Sequence, residues 1–316
     1  MATIEIGRCG STGVKRSKTT SKIISAAEAV ATIVDGSNLT LGGFAHSLTP
    51  IAMVHEMIRQ GKKDIDLTSM GECWAADFLA GAGALRRARL SNYMFEGYGR
   101  CLNFSRGVQE GRIQVEDYSH FGITSRLQAA ALGVSYLPIK VMAGTDILNV
   151  KTFDEDKYKT VQCPFTDEEY VAVRSIQPDV AIIHASRADL SCNTQVFGAS
   201  SIIEEQARAA KRVIVSVEEI VSSAEIMKKP ESTILPSFMV DAVVEVPFGA
   251  HPGGMFRYYN QDDKHIGRYW EASRTPETFQ EYLNEFVYGV QDLWGYLKKI
   301  GIRQLMTLRA DPKLGY

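Results

Sequence analysis

Residues 38–68 constrain the fold of this chain more than any other stretch. Asn38-Leu39-Thr40-Leu41, entered through the Asp35-Gly36 turn, has strand character. Gly42-Gly43-Phe44-Ala45-His46-Ser47-Leu48 follows as a loop. Thr49-Pro50 then opens a helix, with Thr as N-cap and Pro at the first helical position. Ile51, Val54, Met57 and Ile58 give that helix one apolar face, Gly61 ends it, and Ile65–Thr68 reads as a second strand. Strand, glycine loop, helix, strand is a βαβ unit. Its crossover predicts an α/β fold: a mostly parallel sheet with helices on both faces.

The alternation continues along the chain. Further strands are expected at 140–143, 169–173, 180–184, 212–217 and 242–246, and helices at 24–34, 123–133, 200–210 and 275–300. The last helix carries a broad apolar stripe (Phe279, Phe286, Val290, Leu293, Leu297) that needs a core or a partner to cover it. Residues 151–166 read as a long surface excursion. Residues 1–20 contain Lys15, Arg16 and Lys18 with no apolar core behind them, so they read as a flexible extension rather than a secretory signal; residues 21–316 form the domain.

Composition excludes several function classes. A formal net charge of -2 gives no global attraction to nucleic acid or an anionic membrane. No apolar run is long enough to span a bilayer. Five cysteines, odd in number and without a CxxC pair, argue against a disulfide framework and for a reducing cytoplasm. The six histidines have no partner at metal-ligand spacing, so no metal is expected. There is no GxxxxGK[ST] loop, GxSxG elbow or HExxH helix. Gly81-Ala82-Gly83 and Gly97-Tyr98-Gly99 lack the third glycine of a dinucleotide fingerprint.

The glycine loop is the strongest local signal for chemistry. Two glycines at the carboxyl end of a strand let a ligand approach the backbone. Bare N–H groups there, beside a helix N-terminus, suit a carboxylate or a developing oxyanion. A strand-ending turn with tight packing is the structural alternative.

Asp35-Gly36, the apolar strand, Gly42-Gly43-Phe44 and Pro50 together resemble the first signature of class I CoA transferases. Thr40 and Leu48 depart from it, as in the glutaconate branch. The similarity to alpha-type subunits of that branch runs on through Val115-Glu116-Asp117-Tyr118-Ser119, Asp179-Val180-Ala181-Ile182-Ile183-His184-Ala185, Val217-Glu218-Glu219-Ile220, Gly249-Ala250-His251-Pro252 and the Leu314-Gly315-Tyr316 end.

The resemblance implies an enzyme, the alpha subunit of a heteromeric CoA transferase. A glutamate attacks an acyl-CoA thioester, a mixed anhydride and then a glutamyl-CoA form, and a second, dicarboxylic acid accepts CoA. That nucleophile belongs to a Ser-Glu-Asn-Gly motif of the beta-type partner. No such motif occurs here, so no catalytic residue is expected in this chain. The assembly would be a heterodimer or heterotetramer. Coenzyme A enters as a substrate thioester, and no permanently bound cofactor is expected.

The residues expected to line the acyl site are Gly42, Gly43, Phe44, Ser47, Glu96, Tyr98, Arg100 and His120. Tyr98 stands where the glutaconate branch has a serine, and His120 where it has a glutamine and a related steroid-ring hydrolase a glutamate. Arg100, or Arg106, could pair with a distal substrate carboxylate; a surface arginine is the structural alternative. Glu72 and Glu96 are in-chain candidates for a nucleophile, and a solvated or structurally paired carboxylate is the favoured reading of each. His184 reads as a satisfied core histidine. A thioester-dependent C–C hydrolase, thioesterase or decarboxylase on the same scaffold is the alternative chemistry.

Overall fold

Seven parallel strands carry the fold in the computed structural model, which describes residues 21–154, 156–311 and 313–316. The extension expected over residues 1–20 lies outside the described residues. In chain order the strands are β1 (Asn38–Leu41), β2 (Ile65–Thr68), β3 (Leu85–Leu90), the short pair β4 (Met94–Phe95) and β5 (Gly99–Arg100), β6 (Gln114–Asp117), β7 (Tyr136–Ile139), β8 (Lys159–Gln162), β9 (Glu169–Arg174), β10 (Val180–Asp189), β11 (Thr194–Gln195), β12 (Val213–Val221), β13 (Thr233–Leu235) and β14 (Ala242–Glu245). The helices are α1 (Ala26–Ala31), α2 (Ile51–Arg59), α3 (Trp74–Gly81), α4 (Leu102–Gln109), α5 (His120–Ala131), α6 (Ile203–Ala209), α7 (Ser223–Met227), α8 (Asp263–Ala272), α9 (Pro276–Leu283), α10 (Leu293–Ile300) and α11 (Ile302–Leu308).

The parallel strands lie in the order β14, β12, β10, β1, β2, β3, β6. β11 and β13 add antiparallel pairing along the outer half of β10. β7, β9 and β8 form a separate antiparallel sheet, and β4 pairs with β5 as a hairpin. The chain builds outward from β1 through β2, β3 and β6. It then returns to the other side of β1 as β10, so β1 and β10 flank the point where the direction of winding reverses. In open α/β sheets ligands sit in the crevice at the carboxyl ends of such strands.

Burial explains the strand sequences. β10 is an apolar run, Val-Ala-Ile-Ile, buried on both faces, as a central parallel strand must be. α3 is buried along its whole length, and Trp74 and Phe78 have no exposed surface. Each such aromatic contributes about 1.5–3 kcal/mol by leaving water.

Several local expectations are corrected. The strand expected at 140–143 lies earlier, at Tyr136–Ile139, because pairing with β9 fixes its register; Met142, at φ 75°, belongs to the turn that follows. Thr49 does not cap α2. Pro50 occupies the N-cap position, and the Thr49 hydroxyl is buried without a partner. The helix expected over 275–300 is broken. A π turn at Asn284–Tyr288 ends its first part, and after Gly289 Asp292 caps α10 by accepting the Gly295 N–H at 2.9 Å. Residues 151–166 are not simply a surface excursion: they include β8, and Lys157 is fully buried against Glu116 at 2.9 Å.

Candidate active site

The loop after β1 sits in the crevice at the winding reversal. Gly42 N–H extends the ladder to Ile182 O at 2.9 Å. Phe44 and Ser47 then exchange N–H···O bonds of 3.0 Å each, closing a tight turn, and Ala45 N–H bonds Gly71 O at 2.9 Å. Gly43 has φ 117°, and a Cβ there would lie 2.6 Å from Thr49 Oγ1, so both the backbone shape and the space require glycine. Gly43 is buried, and among the described residues its N–H has no acceptor. The helix N-terminus does not add free donors. Ala52 N–H bonds Gly249 O and Met53 N–H bonds Pro50 O.

His46, a loop residue to which no local sequence pattern assigns a role, organises the site. Trp74 Nε1–H donates to its Nδ1 at 3.1 Å, and its Nε2–H donates to the Glu96 carbonyl at 2.9 Å. An indole can only donate and a carbonyl can only accept, so these two bonds set the tautomer of the neutral ring. The ring is 6% exposed, stacks on Phe95 at 6.0 Å and meets the edge of Tyr98 at 5.9 Å. It therefore ties the β4–β5 turn, with Glu96 and Tyr98, to the glycine loop. The available signal was its position between the glycine pair and Pro50.

Phe44, 37% exposed, meets the His120 ring edge-on at 6.1 Å. His120 begins α5 and is exposed; Ser119 caps that helix through the Gly122 N–H at 2.9 Å. Tyr98 donates its hydroxyl to Asp263 Oδ1 at 2.9 Å. Burial and that carboxylate push the phenol up to about 12, so it stays protonated. The structure thus brings Gly42, Gly43, Phe44, Ser47, Glu96, Tyr98 and His120 around one loop. Ser47 is exposed and forms a parallel bridge with Gly254.

The two arginines separate. Arg100 is exposed on β5. Arg106 instead holds the end of α8, donating to Ser273 O at 3.2 Å and Arg274 O at 3.3 Å. Glu96 contributes its carbonyl through His46 while its side chain faces solvent. Glu72, expected to be solvated or paired, is neither: it is 0% exposed and makes no salt bridge among the described residues. His184 matches the expectation of a satisfied core histidine, bonding Ser216 Oγ at 2.9 Å and Glu218 Oε1 at 2.7 Å. A separate cavity of about 990 Å3 between α10, α11 and the segment 247–259 shares no lining residue with the loop.

The family model for coenzyme A transferase matches residues 23–246. The chain belongs to the coenzyme A transferase family. It is 35% identical over 313 residues to one subunit of glutaconate CoA-transferase from Acidaminococcus fermentans, covering 94% of this chain and 97% of that one. It is 35% identical over 283 residues to one subunit of 3-oxoadipate CoA-transferase from Pseudomonas knackmussii, covering 88% and 98%. An uncharacterized protein of Archaeoglobus fulgidus is 36% identical over 301 residues, 92% of this chain, which spans only 66% of that protein's length. The crystal structure of the Acidaminococcus fermentans glutaconate coenzyme A-transferase superposes with a TM-score of 0.88 at 32% identity, covering 94% of this chain and 98% of that one. A variant of the decarboxylase AibA/AibB reaches 0.72 at the same identity, covering 83% and 97%. The transferase is thus the better structural match, over more of this chain.

Proposed function

We propose that this CoA-transferase chain is the alpha-type subunit of a heteromer that moves CoA between an acyl-CoA and a dicarboxylic acid, with the nucleophilic glutamate on a beta-type partner. The observation that carries this reading is the state of the two in-chain candidates. Glu72 is fully buried with its carboxyl turned to the Ala75 N–H, and Glu96 meets the site through its backbone carbonyl while its side chain is exposed, so neither is held as a nucleophile would be. The two transferase relatives are themselves single subunits of their enzymes, and residues 21–316 serve here in the same way, working in the cytoplasm.

The chemistry follows from a glutamate meeting a thioester beside this loop. The carboxylate adds to the acyl carbonyl, and the C–S bond breaks to give a mixed anhydride and CoA thiolate. The thiolate then attacks the glutamyl carbonyl, releasing the first acid as a carboxylate and leaving glutamyl-CoA. The acceptor carboxylate repeats these steps in reverse. Negative charge develops on the acyl oxygen at each addition, and the Gly43 N–H, without an acceptor among the described residues, is the donor suited to it. Phe44, Tyr98 and His120 form the wall that selects the acyl group, and Arg100 is the cation available to a distal carboxylate. The CoA thioester is substrate, with no resident cofactor required by these steps.

The test is to co-express the chain with its partner, incubate the complex with acyl-CoA, trap with borohydride or hydroxylamine, and locate the adduct by mass spectrometry. The glutamyl adduct is expected on the partner. An adduct on this chain overturns the reading, and turnover without any adduct points to hydrolysis or decarboxylation.

A further inference from the structure

Glu72 lies in the floor of the glycine loop. Ala45 and Glu72 pair as a parallel bridge, Cys73 Sγ approaches Ala45 O at 3.5 Å, and the Phe44 ring packs over Gly71 so closely that a Cβ there would lie 2.5 Å from it. The Glu72 carboxyl is buried. Its Oε1 accepts the Ala75 N–H at 2.9 Å, and its Oε2 has no partner. Two more buried oxygens lie nearby, Ser69 Oγ and Tyr93 OH, which face each other without a hydrogen bond of good geometry and have no other partner. Ser69 N–H bonds Arg89 O at 3.0 Å, which sets the ends of β2 and β3 side by side. Unpaired buried polar atoms are rare in native proteins, and a group of them at adjacent strand ends marks a small polar chamber suited to bound water.

The groups facing Glu72 are acids: Asp77 on α3, Cys73, Cys101 and Tyr93. Asp77 accepts the Phe104 N–H at 2.9 Å, Asn103 Nδ2–H at 3.0 Å and Tyr269 O–H at 2.8 Å, and burial still outweighs these bonds and pushes its carboxyl up to about 6. Glu72 accepts one bond of good geometry, from the Ala75 N–H, with the Trp74 and Ala76 N–H groups also turned toward it, while its Oε2 has no partner. A buried carboxylate in that state is costly, whereas a carboxylic acid supplies a donor to the chamber.

We propose that Glu72 is a positioning residue for transfer: it works as a neutral acid that closes the chamber with Ser69 and Tyr93 and so holds the floor beneath Phe44 and Ala45. This rests on the loop being the acyl site. Burial pushes the Glu72 carboxyl up to about 7, and above that its proton is lost. The negative charge then appears under the loop with acids around it, and the loop loses its shape.

The test uses the co-expressed heteromer and two readouts. Infrared difference spectra between wild type and Glu72→Gln should show a neutral carboxylic acid at pH 6 that disappears above about pH 7. Glu72→Gln, uncharged at every pH, should keep activity at pH 6 and lose the alkaline decline, while Glu72→Ala should fall by about 10-fold. No carboxylic acid signal at pH 6, or an unchanged alkaline decline in Glu72→Gln, overturns the proposal. If Glu72→Gln does not assemble, Tyr93→Phe takes its place: the midpoint of the wild-type infrared signal must move, and an unmoved midpoint overturns the proposal. The infrared arm is independent of which reaction the enzyme performs, so failure of the transferase reading is distinguishable from failure of this one.

Discussion

Gly43 and His46 shape the site by different means. At Gly43 the backbone holds φ 117° and the nearest neighbour leaves no room for a methyl group. Gly43→Ala should therefore destabilise the protein by about 1–3 kcal/mol and lower transfer activity, with urea unfolding and steady-state rates as the checks. His46 is different because both ring nitrogens are already bonded, to Trp74 and to the Glu96 carbonyl. A general base needs a free nitrogen, so His46 holds the β4–β5 turn rather than moving protons. His46→Ala should lower kcat about 10-fold by freeing that turn, since the lost contacts are of hydrogen-bond size. His120→Gln, which changes an exposed ring edge-on to Phe44 at the helix start, should alter the preference among acceptor acids more than the rate with the best one. Competition assays with pairs of acids measure that ratio.

Helices pack here through glycine and buried histidine. Gly81 at the end of α3 packs against Phe279 of α9 so tightly that a Cβ there would overlap the ring. Gly81→Ala should cost about 1–3 kcal/mol by forcing α9 outward, read as a lower Tm with the loop site unchanged. His55 on α2 and His265 on α8 lie between aromatic rings, with Tyr296 at 5.1 Å from His55 and Tyr282 at 5.7 Å from His265. Burial first, then the Arg59 charge for His55 and the His251 ring for His265, lowers both to about 3. A folded-state value below the ordinary 6.5 means that the stability is fully present above pH 6.5 and is lost as pH falls toward 3. Asp154 adds to this at the acid end. Burial alone would raise it, but Arg126 and Arg89 outweigh that and hold it well below the usual carboxylate range. Its contribution is present above its unfolded value and is lost on acidification. Tm measured across this acid range should decline, with the β6 to β9 region opening last because Asp154 ionises so low.

The whole molecule is half of a working site by this reading. The chain presents the loop and the wall, and the partner presents the nucleophile. The isolated chain should then show no transfer, while the reconstituted heteromer should; mixing separately purified subunits and following CoA exchange measures it. The largest part of this was legible from the residue order. The strand, glycine loop and helix of 38–68 make a βαβ unit wherever they occur, because local periodicity and turn chemistry act over a few residues. Seven parallel strands were built as that pattern required.

The residue order alone determined the α/β class, the glycine loop and the family resemblance, all of which rest on short-range pattern. Only the tertiary structure decided what the polar residues do. His46 and Glu96 are 50 residues apart and His46 and Trp74 are 28 apart, so no local signal could show that the histidine is fully bonded. Lys157 lies in a polar stretch and is buried because Glu116 waits for it beneath the sheet edge. Glu72 reads in sequence as a solvated or structurally paired carboxylate for the same reason. Whether a carboxylate is in water or buried depends on which distant segments cover it, and here Ala45 pairs with the Glu72 backbone while Tyr93 and Cys101 lie near its carboxyl.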